Sequence, residues 1–305
     1  MPEPLRRELC ERLGERIRFD VPLARLISLR VGGPADAVAV PADRSELLAL
    51  LQRLARAGVP HYVVGGGFNC LALDAPLPGV VIQLSRFRTL EARPDAALRV
   101  EAGVSHSQIT RYCVQHGFGG LAFGAGIPGT LGGWIAMNAG IPGAEIGERV
   151  IELEVARPGG DGIRHLPADE LHFRYRALRG LAPGSVIVSA LLRVERSTPE
   201  AVRAEVNALL ERRGRTQPLS VPSCGSVFKN PPGDHAGRLI EAAGLKGHQL
   251  GGAQISPVHA NFIANTGGAT AADVLALIQL AQETVESMTG TRLEREVKLL
   301  GGESR

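Results

Sequence analysis

Apolar residues in the first part of the chain follow both the helix period and the strand period. Leu5, Leu9 and Leu13 recur at every fourth position, which predicts a short amphipathic helix. Asp43 with Glu46 three residues later has the pattern of a capping box and predicts the start of a second helix. The predicted bounds are Pro4 to Leu13 and 43–56 for the helices, and Asp36 to Pro41, Tyr62 to Val64 and Val80 to Leu84 for the strands. This alternation of strand and helix predicts an α/β architecture.

The pattern changes twice in the rest of the chain. A glycine-rich run follows the next strand and helix, and from residue 150 apolar positions alternate as they do in strands. From Pro199 the pattern is that of a charged helix, which predicts a domain boundary near Ser197. The last helix has Thr270 as its cap and Gly290 as its stop. The predicted strands are Leu98 to Val104, Val150 to Ala156, Ile163 to Leu166, Val186 to Val194 and Arg292 to Leu300, and the predicted helices are Ser107 to Gln115, Pro199 to Arg213, His235 to Ala243 and Ala271 to Met288.

The glycine-rich run, Leu121 to Gly143, contains no charged residue and has a glycine or proline every few positions. Glycine costs about 1 kcal/mol and proline about 3 kcal/mol in a helix interior, so a winding backbone is favoured over a helix. The same costs argue against a membrane span, which needs about 20 apolar residues in helical form. Gly124, Gly126 and Gly129 match the dinucleotide fingerprint, but Pro128 stands where that motif requires a helix to begin.

Two segments therefore predict loops whose backbone amides face a ligand. One lies in the glycine-rich run, and the other is Gly65-Gly66-Gly67, directly after a predicted strand. Glycine has no Cβ, so a large flat or anionic molecule can come close enough to accept hydrogen bonds from the backbone. We expect such a ligand to cross the ends of the strands.

Composition and charge narrow the class of protein. A chain of 305 residues, 44% of them hydrophobic, can bury real cores and predicts about two domains. Its net charge of +3, from 34 basic and 31 acidic residues, is too balanced for a nucleic-acid binder. The 4 cysteines form no CxxC pair and indicate neither a metal site nor a disulfide framework. Together with an N-terminus that lacks signal-peptide character, they favour the cytoplasm.

Three places carry side chains suited to chemistry, although each also fits an ordinary surface. The loop Ser223 to Pro231 gathers hydroxyls, a thiol, a cation and an amide around one glycine, as polar turns often do. Glu296 lies in a predicted strand, on the face opposite Leu293 and Val297. Arg176 stands in the segment HFRYR. The sequence shows no hydrolase triad spacing, no Walker motif and no HExxH motif.

Several short segments carry a resemblance to a known family when they are taken together. In chain order they are VVGGGFNCL, GAGIPGTLGGWIAMNAG, HFRYR, PSCGSVFKNP, AGRLIEAAGLKG, SPVHANFIAN and LEREVKLLG. Their order and spacing resemble the UDP-N-acetylenolpyruvoylglucosamine reductases of peptidoglycan synthesis, the MurB family, over nearly the whole chain. The chain is most similar to the shorter subgroup, which lacks an inserted substrate lid that bears a tyrosine.

The resemblance implies a fold, a reaction and partners. The fold is α/β (α+β), with a two-subdomain FAD-binding module of the vanillyl-alcohol-oxidase (PCMH) type and a smaller α/β substrate-binding domain. The implied divisions are residues 1–85, 86–197 and 198–305. NADPH reduces non-covalently bound FAD, and the reduced flavin passes a hydride to the enolpyruvyl group of the UDP sugar, giving UDP-N-acetylmuramate. These small molecules are the implied partners, with no nucleic acid, membrane or obligate protein partner.

The resemblance also implies roles for individual residues. Ser226 matches the serine that protonates the intermediate, and Arg176 and Glu296 match residues that steady the enol and its carboxylate. By position, the expected substrate contacts are Tyr175, Lys229 and Asn230. The implied FAD contacts lie in the two glycine segments: Gly65, Gly66, Gly67, Phe68, Asn69, Gly126, Ile127, Pro128, Gly129, Thr130, Gly132 and Gly133. No metal ligand is implied.

The chain departs from the family pattern near the implied FAD site. Phe68 stands where a small hydroxyl residue is usual, and we expect its ring to act as an apolar anchor instead. The other departures are Cys70, Ala72, Pro142, Ala177 and Leu178. Two alternatives stay open: a flavin-binding protein of the same fold without turnover, and an FAD oxidase of the wider superfamily.

Overall fold

In this computed structural model, which describes residues 1–301, helices form where an apolar face coincides with end signals. The helix Ala271–Thr289 has both. The Thr270 hydroxyl accepts from the Asp273 N–H, and the Asp273 carboxylate accepts from the Thr270 N–H. The helix ends at Gly290, whose left-handed conformation suits glycine. The helices are α1 Glu3–Leu13, α2 Arg44–Arg56, α3 His106–His116, α4 Leu131–Ala136, α5 Pro199–Thr216, α6 Ala236–Ala242 and α7 Ala271–Thr289.

The strands are short and mostly antiparallel, although β3 pairs with β5 and β4 pairs with β21 in parallel. In chain order they are β1 Ile17–Pro22, β2 Pro34–Ala39, β3 His61–Val63, β4 Cys70–Ala72, β5 Leu77–Ile82, β6 Leu90–Arg93, β7 Ala97–Glu101, β8 Phe118–Gly119, β9 Gly140–Ile141, β10 Ala144–Glu145, β11 Val150–Ala156, β12 Ile163–Pro167, β13 His172–Arg174, β14 Ala177–Arg179, β15 Val186–Arg193, β16 Glu195–Arg196, β17 Ser223–Ser226, β18 Gln249–Leu250, β19 Ala253–Ile255, β20 Phe262–Asn265 and β21 Lys298–Leu300.

The chain divides into two units. The first unit comprises Met1–Phe19, Ala37–Gly66 and Gly79–Arg213, and the second comprises Asp20–Asp36, Gly67–Pro78 and the chain from Gly214 onward. The first contains a five-stranded sheet of order β12-β11-β15-β7-β6, and the second contains a four-stranded sheet of order β17-β20-β19-β18. A further four-stranded sheet has the order β1-β2-β5-β3. The predicted domain boundaries after residues 85 and 197 stay predictions, and residues 302–305 of the predicted last domain lie outside the described residues.

Buried apolar residues follow the predicted faces. In the first unit, Leu98, Trp134 and Leu192 belong to one cluster of buried residues. In the second unit, α7 buries Leu277 and Ile278 on the face that its helical period predicts. Within the described range, no helix combines the length and the apolar character that crossing a membrane requires.

The predicted order of helices and strands is confirmed over most of the chain, with bounds that shift by a few residues. The capping box predicted for α2 is only half formed. Asp43 accepts from the Glu46 N–H, but the Glu46 carboxylate accepts from the Ala42 N–H and pairs with Arg16 instead of turning back to Asp43.

The predicted strand Arg292 to Leu300 is wrong over most of its length, since only the last three residues form β21. The Glu296 N–H donates to the Val227 carbonyl instead of joining a regular ladder. Leu293 and Val297 are buried, but the Arg295 side chain between them is exposed, so the alternation was not that of a strand.

The winding backbone predicted for the glycine-rich run is confirmed except at α4, a short helix that includes Gly132 and Gly133. Trp134 and Ile135 of this helix are buried, and the Trp134 indole N–H donates to the Ala139 carbonyl at 2.8 Å. Tertiary packing thus outweighs the low helix propensity of two glycines. The loop predicted from Ser223 begins as the strand β17.

Candidate active site

A cavity of about 230 Å³ in the first unit brings parts of the two glycine segments together. Its wall includes Gly65 from the first segment and Thr130, Gly132 and Gly133 from the second. A Cβ on Gly65 would lie 2.5 Å from Thr130 Oγ1, so the absence of a side chain lets the segments meet. The space that a Cβ on Gly133 would enter is open. A ligand can therefore lie directly against this backbone.

Most of the remaining wall of this cavity was not predicted from the sequence. It includes the apolar side chains of Leu178, Leu181 and Ile187 and the polar side chains of Gln83 and Ser85. An apolar wall with a few polar groups is typical of a site for a small molecule or cofactor. Only the position of Gln83 and Ser85, at the end of a predicted strand, could have indicated them.

Several amides of the glycine-rich run are already used inside the protein. The Leu131 and Gly132 N–H groups donate to the Val104 and Ala102 carbonyls at 2.9 and 3.0 Å. The Ile127 N–H donates to Gly124 at 3.0 Å. The run therefore offers a ligand its open glycine faces and only part of its amides.

His106 lies beside this run. Its backbone N–H donates to the Gly129 carbonyl at 3.2 Å, and its ring lies 4.3 Å from the Trp134 ring, between centroids. The nearby backbone of Ile127 favours the protonated ring. Even so, neither ring nitrogen has a hydrogen-bond partner among residues 1–301. Burial lowers the pKa of His106 to about 4, so the ring is neutral near pH 7.

The first glycine segment continues into the second unit at Gly67. This residue has a φ of 69°, and a Cβ on it would lie 2.3 Å from the Leu26 carbonyl oxygen, so only glycine fits. The Phe68 side chain is 40% exposed, so the ring is not buried as an anchor within the protein, and its contact with FAD stays a prediction. The Asn69 amide donates to the Glu296 carbonyl at 3.3 Å.

Ser226 is the last residue of β17. Gly225 before it has a φ of 75°, a conformation that favours glycine. Cys224 is buried, and burial raises the pKa of its thiol to about 12. A protonated thiol is a poor nucleophile, so the Cys224 side chain behaves as a small apolar group. Across the described chain, no cluster of His, Cys, Asp and Glu is arranged to hold a metal.

Glu296 lies next to the Ser226 segment within the second unit. Its N–H donates to the carbonyl of Val227, the residue after Ser226, at 2.8 Å. The family resemblance predicts that both residues belong to one site, and this hydrogen bond joins the Glu296 backbone to the residue that follows Ser226.

The two substrate candidates that follow Ser226 have partners in the protein. Lys229 Nζ lies 2.5 Å from Glu294 Oε1, which forms an ion pair. Asn230 Oδ1 accepts from the Ala236 N–H at 3.1 Å, at the start of α6. These contacts hold the two side chains, which follow Ser226 by three and four residues in the sequence, in defined positions.

Arg176 lies in the first unit, at the turn of the β13–β14 hairpin. Arg174 pairs with Ala177, so Tyr175 and Arg176 form a two-residue turn. The φ of Arg176 is 56°, in the left-handed region that a residue with a Cβ seldom adopts. Such conformations persist where the surrounding structure holds them, often at functional sites.

The Arg176 guanidinium is held from three directions. Its Nη1 donates to Glu145 Oε1 and its Nη2 to the Gly140 carbonyl, both at 3.3 Å. Its central carbon lies 4.7 Å from the centre of the Tyr175 ring, a cation–π arrangement. Burial raises the pKa of Glu145, and the nearby Arg176 charge counteracts that rise.

Comparison with known proteins gives one consistent family. Residues 217–300 match the family described as UDP-N-acetylenolpyruvoylglucosamine reductase, C-terminal domain, and residues 35–165 match the family described as FAD binding domain. The chain is 46% identical over 294 residues to the UDP-N-acetylenolpyruvoylglucosamine reductase of Geobacter metallireducens, covering 96% of this chain and 97% of that one. It is 47% identical over 297 residues to the enzyme of that name from Anaeromyxobacter sp., covering 97% and 89%.

A solved structure has the same fold. The crystal structure of UDP-N-acetylenolpyruvylglucosamine reductase (MurB) from Thermus caldophilus superposes with a TM-score of 0.81 at 33% identity. The superposition covers 93% of this chain and 99% of the Thermus chain.

Proposed function

Because the chain belongs to the UDP-N-acetylenolpyruvoylglucosamine reductase family, we propose that Ser226, Arg176 and Glu296 carry its reaction. The chain is an FAD enzyme that uses NADPH to reduce the enolpyruvyl group of UDP-N-acetylglucosamine enolpyruvate in peptidoglycan synthesis. The predicted activity, cofactor and co-substrate are thereby confirmed, as is the mixed α/β fold with its FAD-binding part.

The residues around the cavity in the first unit fit FAD. The apolar wall suits a flat ring system, and the open backbone at Gly133 suits a ligand that approaches the main chain closely. Bound there, FAD would supply the hydride transfer from NADPH to the substrate. We propose that the two glycine segments hold it, with Gln83 and Ser85 as further polar contacts. The proposed residues of these segments are Gly65 to Asn69, Gly126 to Thr130, Gly132 and Gly133.

The chemistry explains why these side chains are needed. As the hydride reaches the β-carbon of the enolpyruvyl group, negative charge develops on the adjacent carbon and its carboxylate. A fixed cation lowers this barrier by electrostatic stabilisation, and the planar fork of Arg176 can bind both carboxylate oxygens. The Ser226 hydroxyl then donates a proton to the adjacent carbon, which completes the reduction of the double bond. Glu296 steadies the enol.

One hydrogen bond gives the strongest support for pairing Ser226 with Glu296. The 2.8 Å bond from the Glu296 N–H to the Val227 carbonyl joins two segments that are about 70 residues apart in the sequence. We further propose that Tyr175, Lys229 and Asn230 contact the substrate. The ion pairs that hold Arg176 and Lys229 keep both cations in defined positions before the substrate arrives.

The wider setting is also proposed. We divide the chain into FAD-binding subdomains of residues 1–85 and 86–197 and a substrate-binding domain from residue 198, and the C-terminal family match over residues 217–300 supports the last of these domains. A cytoplasmic location is supported by the free thiols of Cys10, Cys70, Cys113 and Cys224, since reducing compartments keep cysteines unpaired. Peptidoglycan synthesis would link the enzyme to cell shape, cell division and the cell cycle. We propose small molecules as its only obligatory partners.

Stopped-flow mixing tests the activity directly. The purified protein is mixed with NADPH without oxygen and then with the UDP enolpyruvyl sugar, while flavin absorbance is followed. We expect bleaching by NADPH, recovery with the sugar, and a product that mass spectrometry finds heavier by two hydrogens. Recovery only after oxygen is admitted would indicate an oxidase, and recovery with neither would indicate a protein without turnover.

A further inference from the structure

The pair of strands that carries Ser226 has an irregular register. Ser223 lies opposite Ala264 and Ser226 opposite Phe262, so β17 uses one residue more than β20 between these pairs. The positive φ of Gly225 accommodates the extra residue. A β-bulge of this kind changes the direction of the side chains that follow it.

Beyond Ser226, a side chain takes the place of the partner strand. The Val227 N–H donates to the Asn261 carbonyl at 2.9 Å. The Phe228 N–H donates to Asn261 Oδ1 at 2.9 Å, and Asn261 Nδ2 donates to the Phe228 carbonyl at 2.8 Å. A primary amide offers the donor and acceptor of a peptide group, so Asn261 extends the ladder where the bulge has shifted it.

These bonds are made out of contact with water, since Asn261 is only 4% exposed and Phe228 is also buried. Loss of the Asn261 donor would leave the Phe228 carbonyl buried without that partner, which is costly enough to make the segment shift. The same segment binds Glu296 through the Val227 carbonyl. A shift of Val227 and Phe228 would therefore move both Ser226 and Glu296.

We propose that the side-chain amide of Asn261 is a positioning group that holds Ser226 and Glu296 in place for the proton-transfer step. The inference rests on the proposed roles of these two residues. A displacement of about 1 Å can cost on the order of 100-fold in rate, so a remote amide can control the step without touching the substrate.

Three variants test this inference. Asn261→Asp keeps the size and the acceptor but places an oxygen where the donor was. Asn261→Ser is smaller and provides a second test should Asn261→Asp not fold. Asn265→Asp is the matched control, because Asn265 is on the same strand and donates to the Leu29 carbonyl at 3.0 Å, away from Val227 and Phe228.

The readouts are the two half-reactions, the split between kcat and KM, and the solvent deuterium isotope effect. In both Asn261 variants we expect normal reduction by NADPH and a substrate step slowed on the order of 10- to 100-fold. KM for the sugar should change little, and the isotope effect should rise as the proton transfer becomes rate-limiting. Asn265→Asp should match the wild type in all of these, whatever its melting temperature.

Two results would overturn the inference: a substrate step within twofold of the control in both Asn261 variants, or an equal loss in both half-reactions. Ser226→Ala, measured in parallel, separates this failure from failure of the proposed function. If Ser226→Ala keeps the substrate step, the role of Ser226 is wrong and the positioning role falls with it. If Ser226→Ala loses the step while the Asn261 variants keep it, only the positioning role is wrong.

Discussion

The glycine-rich run of the first unit and the Ser226 segment of the second are built in opposite ways. Part of the run is held by neighbours in sequence: the Ile127 N–H donates to the Gly124 carbonyl, and the Trp134 indole N–H donates to the Ala139 carbonyl. The Ser226 segment is held by Asn261 and by the chain around Glu296, which are distant in sequence. A segment held by nearby residues can be recognised from its own composition. A segment held by distant residues has no such local pattern, and here only the family resemblance indicated it.

The largest predicted loss of activity is for a substitution in the Ser226 segment, which is held by residues distant in sequence. Ser226→Ala should leave reduction by NADPH nearly normal and slow the substrate step, because the role proposed for the hydroxyl is proton donation in that step alone. General-acid steps contribute about 10²- to 10⁴-fold. Single-turnover stopped-flow with reduced enzyme measures this. If the rate of the substrate step fell less than about tenfold, well below that range, the proton donor would have to be another residue. The Ser226 segment would then not differ in function from the glycine-rich run in the way proposed.

The next effect concerns the acid sensitivity of the locally built run. The pKa of His106 is lowered to about 4 in the folded protein, so the unfolded chain takes up this proton first as the pH falls below 6.5. The wild type should therefore lose up to about 3 kcal/mol of unfolding free energy between pH 6.5 and 4, with no effect above that window. His106→Leu should remove this loss.

Urea denaturation at pH 7 and pH 4 measures the difference. The exposed His248→Leu is the control and should lose stability with acid as the wild type does. If His106→Leu and the wild type lost equal free energy of unfolding between pH 7 and pH 4, the buried His106 ring would not be a source of the pH dependence.

A smaller effect should follow from closing the gap between the glycine segments. A Cβ in Gly65→Ala would press on Thr130 Oγ1, which lines the cavity. Overpacking typically costs about 1 to 3 kcal/mol, so we expect FAD affinity to weaken roughly tenfold or more. Gly159→Ala is the control, since a Cβ there meets open space. Fluorescence titration of the apoproteins with FAD gives the dissociation constants of the two variants. Unchanged affinity in Gly65→Ala would show that this cavity is not the FAD site.

The smallest effect should be that of Cys224→Ala. The thiol is buried with its pKa raised to about 12, so it acts as an apolar group two residues before Ser226. We expect steady-state turnover to stay within about threefold, since free cysteine packs as a small hydrophobe. A larger loss with FAD still bound would show that the thiol takes part in the site.

Features that depend on residues close in sequence could be predicted from the sequence, whereas features that depend on distant residues could not. The helix α7 was predicted with its cap and stop because Thr270 and Gly290 act within one turn of the helix ends. The strand predicted around Glu296 was wrong because its backbone partner is Val227, and alternation does not identify a remote partner. Gln83 and Leu178 line one cavity only because the fold brings them together.

Asn261 shows the limit most clearly. The segment SPVHANFIAN contributed to the family resemblance, but no local pattern indicates that Asn261 would bind the backbone of Phe228. A buried amide and an exposed amide look alike in sequence, and only the position of the partner carbonyl distinguishes them.

The conformation of Arg176 has a consequence for protein engineering. A left-handed backbone costs about 1 to 2 kcal/mol for a residue with a Cβ, and glycine would adopt the observed φ of 56° at little cost. Selection for heat resistance alone would therefore favour glycine at this position, and on the catalytic role proposed for Arg176 the selected variants would be more stable but less active. Any programme to thermostabilise this enzyme should hold position 176 fixed and score turnover together with melting temperature.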